Sequence, residues 1–370
     1  MGKARPSKTV FNLLTDFILT IAISLSAKVF HIPLIKVTPE FTLHSIVQRK
    51  PSPGSDASID HPSAKIYTSA ADMLADASID LIVLTTPPNT HSPLARSALE
   101  AGKHVLVEKP FVPTAAEARE LERLAAARQR LICVYQNRRW DADFLTFRRL
   151  QRDGALGRIV EFETHFDRWK PERPPTWKGT LGMADAGGVL YDLGTHLVDQ
   201  VLVAFGVPRA VTGFFAHERN DGGPEPDAFT ALLHYGPGAP LVTVKAGIMS
   251  AETAQLRYWV RGTKGSYKKF HLDVQEDQLK AGMLPGDEGF GVEHEDRAGA
   301  FTAMEGGTPV KRSVPNVTPE TYGALYAAFA KAIEEGDEKL VPVKASEAGD
   351  VLRIIEAIQE SAREGKTITL

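Results

Sequence analysis

A single cysteine, Cys133, stands in the whole chain, which excludes an internal disulfide and a thiolate-bound metal cluster. It sits in the apolar run LICVY as a core filler, and such sparing use of cysteine fits a reducing, cytoplasmic setting. Charge of one sign is scarce as well. The 43 basic and 46 acidic side chains leave a net −3, so neither nucleic acid nor an anionic membrane is drawn to the chain by electrostatics. The histidines lack the paired spacing of zinc sites, so no metal is expected. The one long apolar stretch, residues 9–27 behind a basic MGKARPSK, has the outline of a secretory leader. Asn12 and Asp16 interrupt it, so we read it as part of the first folded unit, neither exported nor membrane-spanning.

The chain holds 370 residues, enough for two domains. FILTIAIS (17–24) reads as a buried strand, and SAKVFHIPLIK as a short helix that Ser26 can cap. Strands follow at 41–49, near Tyr67, at 79–88, 104–110 and 131–137. Helices at 70–77, 89–102 and 114–128 alternate with them, the last opened by a Thr114/Glu117 capping box. Strand alternating with helix in this way predicts an α/β fold with a doubly wound parallel Rossmann sheet, its ligand at the carboxyl ends of the strands. Beyond residue 137 the rhythm changes to strands separated by short turns, which predicts an α+β domain with a large, mostly antiparallel sheet. We therefore divide the chain into 1–137 and 138–370, with the C-terminal helices packing back towards the first domain. The Gly-rich, charged stretch 275–307 reads as a long loop, and Thr318-Pro319-Glu320 as the cap of a helix carrying Tyr322, Leu325, Tyr326 and Phe329.

Within GGVLYDLGTHLVDQ (187–200), Asp192 and His196 are four residues apart and share a helix face. A carboxylate beside an imidazole orients the ring and favours its protonated form, which makes a proton-transfer pair. Gly187 and Gly188 leave room for a ligand or a backbone to approach. Three strand ends carry further polar groups: TTPPNTH (85–91), the Glu108-Lys109-Pro110 tripeptide, and the Gln136-Asn137-Arg138-Arg139 junction.

In this order and spacing, VEKP (107–110), TTPPNTH, QNRRWD (136–141) and GGVLYDLGTHLVDQ resemble the glucose–fructose oxidoreductase/inositol dehydrogenase family, Gfo/Idh/MocA. SAKVFHIPLI, DRWKPERPPTWK (167–178) and VQEDQLKAGMLPGDEGFG (274–291) resemble its branch of NADP-dependent scyllo-inositol dehydrogenases. The resemblance implies an NAD(P)-dependent dehydrogenase that exchanges hydride with a secondary alcohol of a sugar or cyclic polyol, as a homo-oligomer, dimer or tetramer. It places Lys109, Asp192 and His196 around the reacting carbon. Oxidation of an alcohol needs a base for the hydroxyl proton and a cation for the developing alkoxide, which suits His196 and Lys109, with Asp192 as orienter. Arg168, Trp177 and Lys178 lie in the loop that would face the sugar. Around the nucleotide the resemblance sets Ser24, Leu25, Ser26 and Ala27 after the first strand, then Arg49, Thr86, Pro87, Asn89, His91, Glu108, Lys109, Gln136 and Asn137.

Two departures matter. The family's G-x-G-x-x-A turn reads Ala22, Ser24 and Ala27 here, so added side chains crowd the place where a pyrophosphate approaches the backbone. Residues 1–24 also differ from the family's usual opening, as they would after altered splicing. An eroded turn favours a rival reading, a non-catalytic sensor of nucleotide or sugar on the same fold, or an inactive product. After the second strand, Gln48-Arg49-Lys50 offers no acid for an adenosine ribose and a cation for a 2′-phosphate, which favours NADP over NAD.

Overall fold

The computed structural model describes residues 16–21, 26–51 and 54–370. Ala22, Ser24 and Leu25, and with them the altered turn, lie outside the described residues.

Six strands form the first sheet: β1 (Asp16–Ile21), β2 (Phe41–Val47), β3 (Lys65–Tyr67), β4 (Leu81–Leu84), β5 (His104–Val107) and β6 (Ile132–Val134). All neighbours are parallel, in the order β3-β2-β1-β4-β5-β6. The order reverses between β1 and β4, which opens a crevice at their carboxyl ends. Every residue of β4 is buried, as its unbroken apolar run requires of a central strand covered on both faces. One cover is the helix His91–Glu100, which lies against β4 and β5 and buries Ala95, Ala98 and Leu99; the helix Ala115–Ala127 packs beside it and opens with the expected capping box. Ser26 does not act as a cap. Its backbone is already helical and its hydroxyl is drawn to Glu108 instead.

The second sheet has nine strands: β7 (Ile159–His165), β8 (Ala210–Ala216), β9 (Ala228–His234), β10 (Leu241–Ala246), β11 (Leu256–Gly262), β12 (Gly265–Phe270), β13 (Gly299–Glu305), β14 (Thr308–Val314) and β15 (Ile368–Thr369). Their order is β14-β13-β12-β11-β7-β10-β9-β8-β15. Every pair is antiparallel except β7 with β10. The expected loop at 275–307 instead contains a helix, Gln275–Lys280, and β13. The β13–β14 hairpin is largely exposed, so its residues lack the apolar alternation that marks a half-buried strand. The helix expected from Thr318 begins only at Gly323, after Thr321 adopts a left-handed backbone with φ of 61°.

Helices Ala142–Arg152 and Thr195–Phe205 pack on one face of this sheet. Phe147 meets Phe162 and Tyr258 there, with ring centroids 4.8 and 6.0 Å away. The helix Ala345–Glu364 joins the two halves. Its Glu356 accepts the Ala115 backbone N–H at 2.8 Å, Gly349 lies against Ala118, and its other side packs on β8. Arg139 adds a bridge, bonding Asp199 at 2.7 Å and Glu347 at 2.9 Å. No helix of the described residues is long and apolar enough to cross a membrane.

Candidate active site

Lys109 stands just past the carboxyl end of β5, and its ammonium reaches the other half of the molecule. Nζ donates to Asp192 Oδ1 at 2.7 Å and to the Asp192 carbonyl at 2.8 Å. Asp192 lies in a widened, π-type helical turn, Leu190–Gly194, that runs into the helix Thr195–Phe205. Such turns recur at functional sites because they re-aim a side chain. Tyr191 anchors this one by donating to the Pro113 carbonyl at 3.0 Å. Ahead of it, a Cβ on Gly187 would lie 2.1 Å from the Leu181 carbonyl oxygen. The close approach that the glycine permits is therefore to backbone.

The sequence pairs Asp192 with His196, but the structure pairs Asp192 with Lys109. His196 is buried, its ring stacks on Phe166 at 6.4 Å between centroids, and its Nδ1 has no partner among the described residues. Its protonation also runs against expectation. Burial, then the charges of Lys109 and Arg138, lower the His196 pKa well below the usual imidazole value and outweigh the opposing pull of Asp192. The ring is therefore neutral at neutral pH and can accept a proton. Desolvation would raise the Asp192 pKa, yet Lys109, Lys178 and Arg168 together hold it far below the usual carboxylate range.

Behind Lys109 a chain of hydrogen bonds runs through Ser26, Glu108, His31 and Tyr326. Glu108 accepts from the Ser26 hydroxyl, from the Lys109 backbone N–H at 2.9 Å, and pairs with His31 Nε2 at 2.9 Å. His31 Nδ1 continues to the Tyr326 hydroxyl at 2.7 Å. Burial alone would raise the Glu108 pKa, but His31, Ser26 and Lys109 lower it overall, so the carboxylate stays charged. His31 stood in the quoted SAKVFHIPLI motif, yet only the fold brings it to Glu108, 77 residues away.

The remaining expected residues divide by place. Ala27 is buried at the start of the turn after β1, beside Ser26. Arg49 is exposed just beyond β2, while Gln48 holds the adjoining loop through Ser55 and Ala57. Thr86, Pro87 and Asn89 line the turn after β4, with Asn89 exposed. His91, expected at the nucleotide, is wholly buried. Its Nδ1 lies 2.9 Å from the Pro110 carbonyl and its Nε2 2.8 Å from that of Thr86, so it ties two loops together. Gln136 and Asn137 are buried past β6, and Gln136 Oε1 has no partner among the described residues. A buried acceptor without a partner past the carboxyl end of a strand, as Gln136 Oε1 is, fits a bound dinucleotide with polar edges. Arg168 lies over the Phe166 ring at 4.5 Å, and Lys178 over Trp177 at 5.7 Å.

A doubly wound domain joined to an open mixed sheet, with lysine, carboxylate and neutral imidazole at the seam, defines a two-domain oxidoreductase. Two family models match: "Oxidoreductase family, NAD-binding Rossmann fold" over residues 22–136, and "Oxidoreductase family, C-terminal alpha/beta domain" over 148–370. The chain belongs to the Gfo/Idh/MocA oxidoreductase family. It is 40% identical to the oxidoreductase YdgJ of Escherichia coli, over 93% of this chain and 96% of that one. It is 35% identical to the scyllo-inositol 2-dehydrogenase (NADP+) IolW of Bacillus subtilis, over 94% and 93%. The solved structure of the Bacillus subtilis oxidoreductase yvaA superposes with a TM-score of 0.89 at 34% identity, covering 97% of this chain and 99% of the other.

Proposed function

We propose that this protein oxidises a secondary alcohol of a sugar or inositol-like polyol, or reduces the corresponding ketone, with NADP as partner in the cytoplasm. The observation that carries the reading is the neutral, buried His196 beside the Lys109–Asp192 pair. A bound nicotinamide would accept or supply the hydride. His196 accepts the hydroxyl proton at its unprotonated ring nitrogen, and Lys109 stabilises negative charge on the substrate oxygen. Asp192 fixes the lysine and turns its free edge toward the substrate. Arg168, Trp177 and Lys178 contact the polyol. Ser26, Ala27, Thr86, Pro87, Asn89, Glu108, Gln136 and Asn137 line the nucleotide, and Arg49 meets the 2′-phosphate. We divide the chain at 137/138 into nucleotide and substrate domains, and assign the large sheet to pairing subunits in a homo-oligomer. IolW, a scyllo-inositol 2-dehydrogenase (NADP+) by name, supports both the substrate class and the cofactor.

The test is a nicotinamide fluorescence titration with NADPH and NADH, followed by a polyol screen at saturating cofactor. Tight NADPH binding with turnover of at least one polyol is expected. Binding without turnover of any sugar or polyol would favour a sensor, and a folded protein that binds neither nucleotide would mean that the altered turn has cost it the cofactor.

A further inference from the structure

We propose that the substrate carries a negative charge, as a carboxylate or a phosphate ester, held by Arg168, Lys170 and Lys178. The proposal rests on the alcohol-oxidation reading above and narrows its substrate class.

Most basic side chains near the seam are already taken. Arg138 pairs with Asp141 and Glu276, Lys280 with Glu276, Arg139 with Asp199, Arg173 with Asp221, and Arg219 with Asp227. Arg168, Lys170 and Lys178 are different: among the described residues none has a carboxylate within ion-pair distance. In a chain of net charge −3, these three cations on one short segment are offset within the protein only at longer range, by Asp192 and Glu276.

Their position gives these cations a use. Arg168 and Lys170 line a cavity of about 650 Å³, bounded also by Arg138, Ser250, Gln255 and Glu276. Phe166 connects this cavity to the reacting groups, since its ring carries the Arg168 guanidinium at 4.5 Å and stacks on His196. Among the acids along the wall, Glu276 is shared by Arg138 and Lys280, and the others are held by backbone N–H groups or stand at the rim. Asp273 accepts the Ala142 and Gln275 N–H groups at 2.7 and 2.8 Å, and Glu252 accepts those of Thr253 and Ala254 at 2.7 and 3.3 Å. Glu252 and Asp277, both exposed at the rim, remain as counterweights. Arg168 and Lys178 both act on Asp192, so all three cations share one field with the site. Burial and the neighbouring Arg168 lower the Lys170 pKa, a repulsion that an anion would relieve. A guanidinium bonds a carboxylate or phosphate in a fork, and the lysines add point charge.

The test uses the full chain with its nicotinamide cofactor and matched ligands: myo-inositol against its 1-phosphate, and glucose against glucose 6-phosphate and glucuronate. Both kcat/KM and, by calorimetry, Kd are measured for each. The anionic member of a pair is expected to be favoured by about tenfold or more, as one or two charge-assisted bonds would give. The preference should fade as ionic strength rises from about 0.01 to about 1 M, and Arg168→Gln or Lys170→Gln should cut it severalfold. The phosphate and uronate arms tell which anion fits. Turnover of neutral and charged members at equal efficiency would overturn the charge site while leaving alcohol oxidation standing. Absence of all turnover with tighter anion binding would uphold the charge site and retire the oxidation reading. Equal Kd values, or no binding of either class, overturn the proposal.

Discussion

Replacing Lys109 by methionine keeps the stem of the side chain and removes its charge. Two bonds are lost, at 2.7 and 2.8 Å to Asp192, and the alkoxide developing on a substrate loses its nearest cation. Removing one such donor typically costs about 3–4 kcal/mol in the transition state, so kcat should fall roughly 10²–10³-fold. The fold should survive. Nearly half of the Asp192 side chain, 46%, is exposed, so the lost ion pair costs about 1 kcal/mol or less. The variant should also change its pH profile in a defined direction. Lys109 is the leading charge that depresses the His196 pKa, after burial, so without it that pKa rises towards the ordinary imidazole value. The base is then protonated over a wider acidic range, and residual activity falls at a higher pH than in the parent. Steady-state nicotinamide absorbance on a polyol that the parent turns over measures kcat across pH. Fluorescence titration should show cofactor affinity changed by less than about threefold. A kcat within about threefold of the parent, or an unmoved acidic limb, would refute the assigned role.

Arg49→Asp should shift preference from NADPH towards NADH by about tenfold or more, read as a ratio of Kd values, since a carboxylate repels the 2′-phosphate and bonds a free ribose. Gly187→Ala should lower stability by about 2 kcal/mol or more in urea unfolding, because its Cβ would lie 2.1 Å from the Leu181 carbonyl oxygen. His104 Nδ1 accepts the Leu131 N–H at 3.0 Å, and burial pushes its pKa down to about 4. The unfolded chain thus binds a proton that the folded chain refuses. Stability should decline as pH drops from about 6.5 towards 4, by up to roughly 3 kcal/mol from this ring, and His104→Asn should flatten that part of the urea-midpoint profile.

What sequence reasoning reached was local or periodic. The buried run of β4 and the Thr114/Glu117 capping box follow from neighbours within a few residues, and both are present in the fold. Asp192 and His196 were visible as a pair for the same reason. The partner that fixes the charge on Asp192 lies 83 residues away, beyond any helical period. A histidine next to a strand end looks alike in sequence whether it meets a ligand or a carbonyl, and only the fold shows that the His91 ring nitrogens lie against the Pro110 and Thr86 carbonyls. Ser26 looked like a cap until the fold supplied Glu108, and β13 and β14 were hidden because an exposed hairpin needs no apolar alternation. Local pattern therefore reached single elements and motifs, while the wiring between them depends on tertiary contacts.

The helix Ala345–Glu364 carries a consequence for binding. Linked domains swing freely only where the contact between them is slight. Here one twenty-residue helix lies against Ala115–Ala127 on one side and β8 on the other, and Arg139 clamps its first turn, so the two halves behave as one block. Arg168 and Lys170 belong to the same block, since their backbone N–H groups donate to the carbonyls of Gly247 and Ile248 at 3.0 and 2.8 Å. Substrate therefore meets a site whose charges are already in place, and little ordering of the chain is left to oppose its binding.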